Sequence, residues 1–119
     1  MKMGSVHTAA EAQSVTLTKV WKAVSGWERG RGLLGRPALA WGEGFWIEPC
    51  ASVHTAFMGY PLDLAFLDAH GVIRKLARNV RPWRMASNWR ARTTLEMRSG
   101  QLDRCVWKVG DRLVWRDTA

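Results

Sequence analysis

The residues whose types and spacing could support chemistry gather between Cys50 and Gly71, with Cys105 as a distant addition. Cys50-x3-His54, taken with His70 and Cys105, offers two thiolates and two imidazoles, the donor set of a tetrahedral zinc site. The tight C-x2-C or H-x3-5-H pair that anchors most structural zinc sites is missing, so the expectation is buried, unliganded thiols and no metal. His54 and Asp63 could instead work as an acid-base pair, with Thr55 or Cys50 as nucleophile, because imidazole moves protons near neutral pH and a carboxylate can orient it. Asp63 sits inside an apolar run, where an ionised carboxylate needs partners. Its expected role is therefore structural: accepting hydrogen bonds from backbone amides of the His54-Thr55 crossing, or pairing with an arginine. The candidate pocket comprises His54, Thr55, Met58, Asp63 and Asp68, with no cofactor implied.

A second constellation is aromatic and basic. Arg74 to Arg98 carries eight cations against Glu96 alone, so it holds +7 of the net +8 charge. Such a concentration suits a polyanion or an acidic protein partner, and also suits a solvated face of the Arg-rich kind common in bacterial chains. Trp83 and Trp89 lie within it. Bases stack on indole while arginine meets phosphate, so Arg74, Arg78, Arg81, Trp83, Arg84, Trp89, Arg90 and Arg92 form the candidate polyanion-binding set. Eight tryptophans exceed what a core of this size needs, so some should reach the surface. Trp83 and Trp89 could equally pin their loop to a sheet. No helix-turn-helix or aromatic RNA-binding signature accompanies them.

These side chains must be positioned by a domain that 119 residues and 47% hydrophobic content can build once. No apolar run approaches the roughly 20 residues needed to span a bilayer, and the first residues lack the apolar core of a secretory signal. A reduced, cytoplasmic monomer is the expectation, with a periplasmic location the alternative if a signal segment was removed. Residues 1–14 show no periodicity and are predicted to be a flexible tail, leaving 15–119 as the globular domain.

Val15 to Lys22 reads as a first strand. Ser25-Gly26-Trp27-Glu28 fits a capping box and predicts a short helix from Gly26 to about Leu34, ended by Gly35 and Pro37. Phe45 to Cys50 reads as a short strand with Phe45 and Trp46 on opposite faces, ended by Pro49. Leu62, Leu64 and Phe66 alternate with Asp63, Ala65 and Leu67 in a strand apolar on both faces, predicted to be the central one. A hairpin at Asp68-Ala69-His70-Gly71, with Gly71 at positive φ, leads into a strand over Val72 to Val80. Arg81 to Arg90 reads as a long surface loop. Arg92 to Arg98 predicts a strand with Thr93, Leu95 and Met97 inward and Thr94 and Glu96 outward. One or two helical turns over Gln101 to Val106 and a last strand at Leu113 to Trp115 complete the chain.

Several strings resemble the family called domain of unknown function 192. They are Gly32-Leu33-Leu34-Gly35-Arg36, the M-x-x-P-L-D-x-x-F-x-D string from Met58 to Asp68, Leu95-Glu96-Met97 with Gly100, and Gly110-Asp111. The resemblance runs from about Val15 to Trp115. It implies a compact β-rich sandwich or barrel with a small helical part, which agrees with an α+β, mostly antiparallel domain carrying one or two short helices. The family has no established activity, so no catalytic residue carries over. Many relatives begin with an export segment, a feature this chain does not show. The sequence thus favours a non-catalytic binding module, with a small-molecule or hydrolase-like site at His54, Thr55 and Asp63 as the alternative.

Overall fold

The computed structural model describes residues 1–11, 15–26, 38–54 and 59–118. Among the described residues, nine strands and one complete short α-helix run in the order β1 (Lys2–Thr8), β2 (Val15–Lys22), β3 (Glu43–Ile47), β4 (Ser52–His54), β5 (Leu62–Leu67), β6 (Ile73–Val80), β7 (Met85–Ser87), β8 (Thr93–Arg98), α1 (Gln101–Arg104) and β9 (Leu113–Asp117), with a 3-10 turn at Ala9–Glu11. Seven strands form one curled, half-barrel sheet in the order β6-β5-β8-β3-β2-β1-β9, and β4 pairs with β7 apart from it. Every pairing is antiparallel except β2 with β3. The expected mostly antiparallel, barrel-like fold is what forms. No described helix is long and apolar enough to cross a membrane.

The double-sided apolar pattern of β5 has a direct structural reason. Its six residues are all buried. Leu62, Leu64 and Phe66 join one apolar cluster with Phe45 and Ile47, while Ala65 and Leu67 join another with Trp46, Leu95 and Met97. The sheet is therefore covered on both sides, and successive residues of one strand feed different cores. Phe45 and Trp46 fall on opposite faces, as their adjacency demands.

Several expectations are corrected. Residues 1–14 are not simply a tail: Lys2–Thr8 forms β1, hydrogen-bonded between β2 and β9, with Val6 fully buried. Its sequence lacks alternation because Gly4, Ser5 and His7 are buried beside Val6. β5 is second from the sheet edge rather than central, that place belonging to β3. In β8, Thr94 and Glu96 are buried rather than outward. They lie opposite Phe66 and Leu64 of β5, on the face that the second cluster covers. The stretch from Arg81 to Arg90 is not all loop, because Met85–Ser87 pairs with Ser52–His54. The helical turn is confined to Gln101–Arg104. The predicted helix beyond Gly26 lies outside the described residues.

The β5–β6 hairpin turns where the sequence predicts. Gly71 has φ +81°, and a Cβ there would stand 2.6 Å from the Leu113 carbonyl oxygen. That carbonyl belongs to β9, so the turn also ties the β5–β6 hairpin to β9, with the Leu113 N–H donating to the Gly71 carbonyl at 2.9 Å. Gly71→Ala is expected to lower stability by about 2 kcal/mol through left-handed strain and this clash, read as a lower urea midpoint.

Candidate functional site

Asp63 of the predicted pocket accepts three backbone N–H groups. Oδ1 accepts from the Asn79 N–H at 2.8 Å, and Oδ2 accepts from the N–H groups of Gly100 and Leu102, each at 3.0 Å. Gly100 is the N-cap of α1 and, at φ +93°, has no side chain to cap with. Asp63 supplies the missing acceptor from a neighbouring strand. Asn79 sits at φ +52° where β6 slips register, and the same carboxylate takes its amide. Among the described residues, the donors Asp63 accepts lie at the β6 bulge and the helix start; Thr55 of the expected His54-Thr55 crossing lies outside those residues. Both oxygens of Asp63 are thereby engaged.

Asp68 organises the hairpin. Its Oδ1 accepts from the N–H groups of His70 at 2.8 Å and Val72 at 3.1 Å, and Oδ2 accepts from Arg74 at 2.8 Å. Burial pushes this carboxyl up, but the two amides and the guanidinium outweigh it and hold it below the ordinary value. The backbone of His54 ends β4. Thr55 and Met58 lie outside the described residues, as does the His54 side chain.

Among the described residues, the members of the zinc constellation are not brought together. Cys105 belongs to the core on one face of the sheet and Cys50 borders the cluster on the other. Cys50 Sγ donates to the Ser52 carbonyl at 3.2 Å, and His70 is exposed in the hairpin turn. Burial pushes the Cys105 thiol up; a hydrogen bond from Gln101 opposes this and the charge of Asp63 adds to it. A thiol held protonated is a poor nucleophile and a poor ligand.

The basic segment divides into two groups. Arg74 pairs with Asp68 at 2.8 Å, Arg78 with Asp103 at 3.6 Å and Arg92 with Glu48 at 3.2 Å, so three of the predicted cations face carboxylates. The stretch from Arg81 to Arg90 differs. Trp83 is 64% exposed, Met85 61% and Trp89 84%, so neither tryptophan is buried against the sheet. What anchors the segment is backbone and smaller side chains: the β4–β7 ladder, the Asn88 N–H donating to the Ala51 carbonyl at 3.0 Å, and Lys75 Nζ donating to the Ser87 carbonyl at 3.0 Å. Ala86 packs toward the core while Met85 and Ser87 point outward. The Arg90 guanidinium lies 4.7 Å from the Trp89 ring centroid, and Arg84 Nη1 donates to the Trp83 carbonyl at 3.4 Å. Trp83 has φ +63°, a strained conformation for a bulky side chain and of the kind found at binding surfaces.

Sequence reasoning missed Glu96. It is buried, and burial pushes its carboxyl up to about 7. Tyr60 is also pushed up, first by burial and then by the Glu96 charge, and its hydroxyl is buried without a hydrogen-bond partner among the described residues. The only signal for this acid was its place in an alternating strand, which read as solvent-facing. Ser5 and His7, also buried, share a 3.0 Å hydrogen bond within β1 and were hidden by the same lack of pattern.

Known proteins place this architecture. A structure from Sinorhizobium meliloti 1021, described as a "putative transcription regulator", superposes with a TM-score of 0.80 at 23% identity, over 95% of this chain and 93% of that one. A protein of unknown function from Novosphingobium aromaticivorans DSM 12444 gives 0.77 at 21% identity, over 95% and 85%. At these identities the likeness carries the fold alone. No curated protein matches the chain. The profile of DUF192, described as Uncharacterized ACR, matches residues 6–115, which takes in the whole sheet from the middle of β1 to the middle of β9 together with Asp63, Asp68 and Glu96. On that match, across nearly its entire length, the chain belongs to the DUF192 family.

Proposed function

We propose that the protein is a non-catalytic binding module that holds single-stranded nucleic acid on the surface presented by Trp83, Met85 and Trp89. The observation that carries this reading is the exposure of two tryptophans and a methionine within seven residues, on a segment that Arg81, Arg84 and Arg90 also occupy. Exposed indoles stack on any base, and guanidinium groups meet the phosphates between them. The segment is built for contact rather than for packing, since β7 is secured through its backbone and its large side chains point away. The regulator description belongs to the Sinorhizobium protein and lends this reading no residue.

The hydrolase-like alternative at His54, Thr55 and Asp63 has less support. Asp63 already accepts three backbone N–H groups, which leaves it poorly suited to orient an imidazole.

Titration with short single-stranded DNA, RNA and heparin, followed by tryptophan fluorescence, tests the proposal. Quenching is expected at low salt, with a preference for bases over heparin. Replacing Arg81, Arg84 and Arg90 together by alanine should lower the slope of log affinity against log salt by about 2, at roughly 0.7 per phosphate contact. Trp89→Ala should weaken binding about tenfold or more. No quenching at low salt overturns the reading, and equal binding of heparin overturns its base-stacking part.

A further inference from the structure

A separate cleft lies where the end of β1, the start of β2, the end of α1 and the turn before β9 converge. Its volume is about 560 Å³, within the range of small-molecule sites. None of its lining residues belongs to the Trp83 to Trp89 segment.

Trp107 is the observation that singles this cleft out. The residue is 6% exposed and lines the cleft, and its indole Nε1 is buried with no hydrogen-bond partner among the described residues. Two indoles of the sheet are satisfied: Trp115 Nε1 donates to the Val20 carbonyl at 3.1 Å, and Trp46 Nε1 donates to Glu48 at 3.3 Å. Indole N–H is a donor only, so the group that completes Trp107 must be an acceptor.

The rest of the lining points the same way. Arg104, Lys108 and Arg112 face one carboxylate, Asp111, whose Oδ2 is already engaged by the Lys108 N–H at 3.1 Å. None of the three cations makes an ion pair among the described residues. Arg104 stacks on Trp41 at 3.7 Å from the ring centroid, which orients its guanidinium and leaves the edge donors available. The hydroxyls of Thr8 and Thr16 can donate or accept, and Arg112 Nε is engaged by the His70 carbonyl at 3.0 Å. Three cations against one carboxylate make the lining positive, so the complementary ligand is anionic.

We propose that this cleft binds a small organic oxyanion, carrying phosphate or carboxylate, that accepts the Trp107 indole N–H while Arg104 and Lys108 neutralise its charge. Cys105 also lines the cleft, where burial pushes its thiol up.

The test follows the indole N–H resonances of the intact protein by two-dimensional NMR at low salt. Trp107→Phe assigns the relevant peak. Glycerol 3-phosphate and inorganic phosphate form the phosphate arm, citrate the carboxylate arm, and glycerol the neutral control. The proposal expects saturable movement of the Trp107 peak with at least one anion at or below about 10 mM, and none with glycerol. Lys108→Ala and Arg104→Ala should each weaken that binding by about fivefold. Both side chains are exposed, so these variants serve even if Trp107→Phe does not fold. A peak that ignores every anion overturns the proposal, and the cleft then holds water only. Movement that both alanine variants leave unchanged also overturns it.

Discussion

Asp63→Asn is expected to destabilise the fold by about 3 kcal/mol while leaving ligand binding at the exposed tryptophan surface unchanged. The ionised carboxylate accepts three backbone N–H groups, one on Oδ1 and two on Oδ2. Each hydrogen bond to a charged acceptor is worth roughly 1.5–3 kcal/mol, and a buried donor left unmatched adds its own desolvation cost. Asparagine can place its carbonyl toward Asn79 or toward the α1 start, but its NH2 group then confronts donors on the other side. A loss of about 3 kcal/mol corresponds to a fall of about 10 °C in melting temperature for a domain near this size. Urea unfolding and thermal melts read the effect. Unchanged stability with lost binding would contradict the structural role and return Asp63 to a ligand site.

Glu96→Gln is expected to act in the opposite direction, and only above mildly acidic pH. In the unfolded chain this carboxyl loses its proton near 4.5; in the fold, burial holds the proton until about 7. The folded state therefore binds more protons between those values, and stability falls as pH rises through the interval. The contribution is fully present below about pH 4.5 and gone above about pH 7, a swing of roughly 3 kcal/mol at 1.36 kcal/mol per pH unit. Glutamine keeps the shape and removes the titration. At pH 8 the variant should be more stable than the parent by about 2 kcal/mol, and at pH 4.5 the two should nearly coincide. Urea midpoints of both proteins at the two pH values measure the difference. A gap that does not grow with pH would mean that Glu96 is ionised at low cost in the fold. Because Glu96 also raises the Tyr60 hydroxyl, the variant should bring the tyrosine titration down toward its ordinary range.

The two acids show how differently sequence and structure speak. Asp63 could be assigned a structural role before any fold was known, because an ionised group inside an apolar strand has to find donors. Which donors it finds depends on residues 16, 37 and 39 positions away, brought together by the β5–β6 bulge and by α1. Glu96 was misread because alternation in β8 implies one wet face only if nothing covers it. The second apolar cluster does cover it, and that cluster draws on β3, β4 and β5 as well as on the loops around them.

Charge behaves in the same way. Counting along Arg74 to Arg98 makes one uniform basic stretch, yet Asp68, Asp103 and Glu48 reach Arg74, Arg78 and Arg92 from other parts of the chain. Three of the eight cations are thereby tied to carboxylates outside the segment. Trp83 and Trp89 were ambiguous between anchor and contact in the sequence, since indole suits either role. In the folded chain both are exposed rather than buried against the sheet.

By itself the sequence determined what local physics controls: the two-sided β5, the Gly71 hairpin, most strand positions, the mostly antiparallel class and the family strings. Turn formers and period-two alternation act over a few residues, so they are legible without partners. Tertiary structure alone decided the place of β1, the pairing of β7, the burial of Glu96, the donors of Asp63 and the burial of the Trp107 indole. Each of these depends on hydrogen bonds or covering surfaces contributed by distant segments, and no local pattern records which distant segment will arrive.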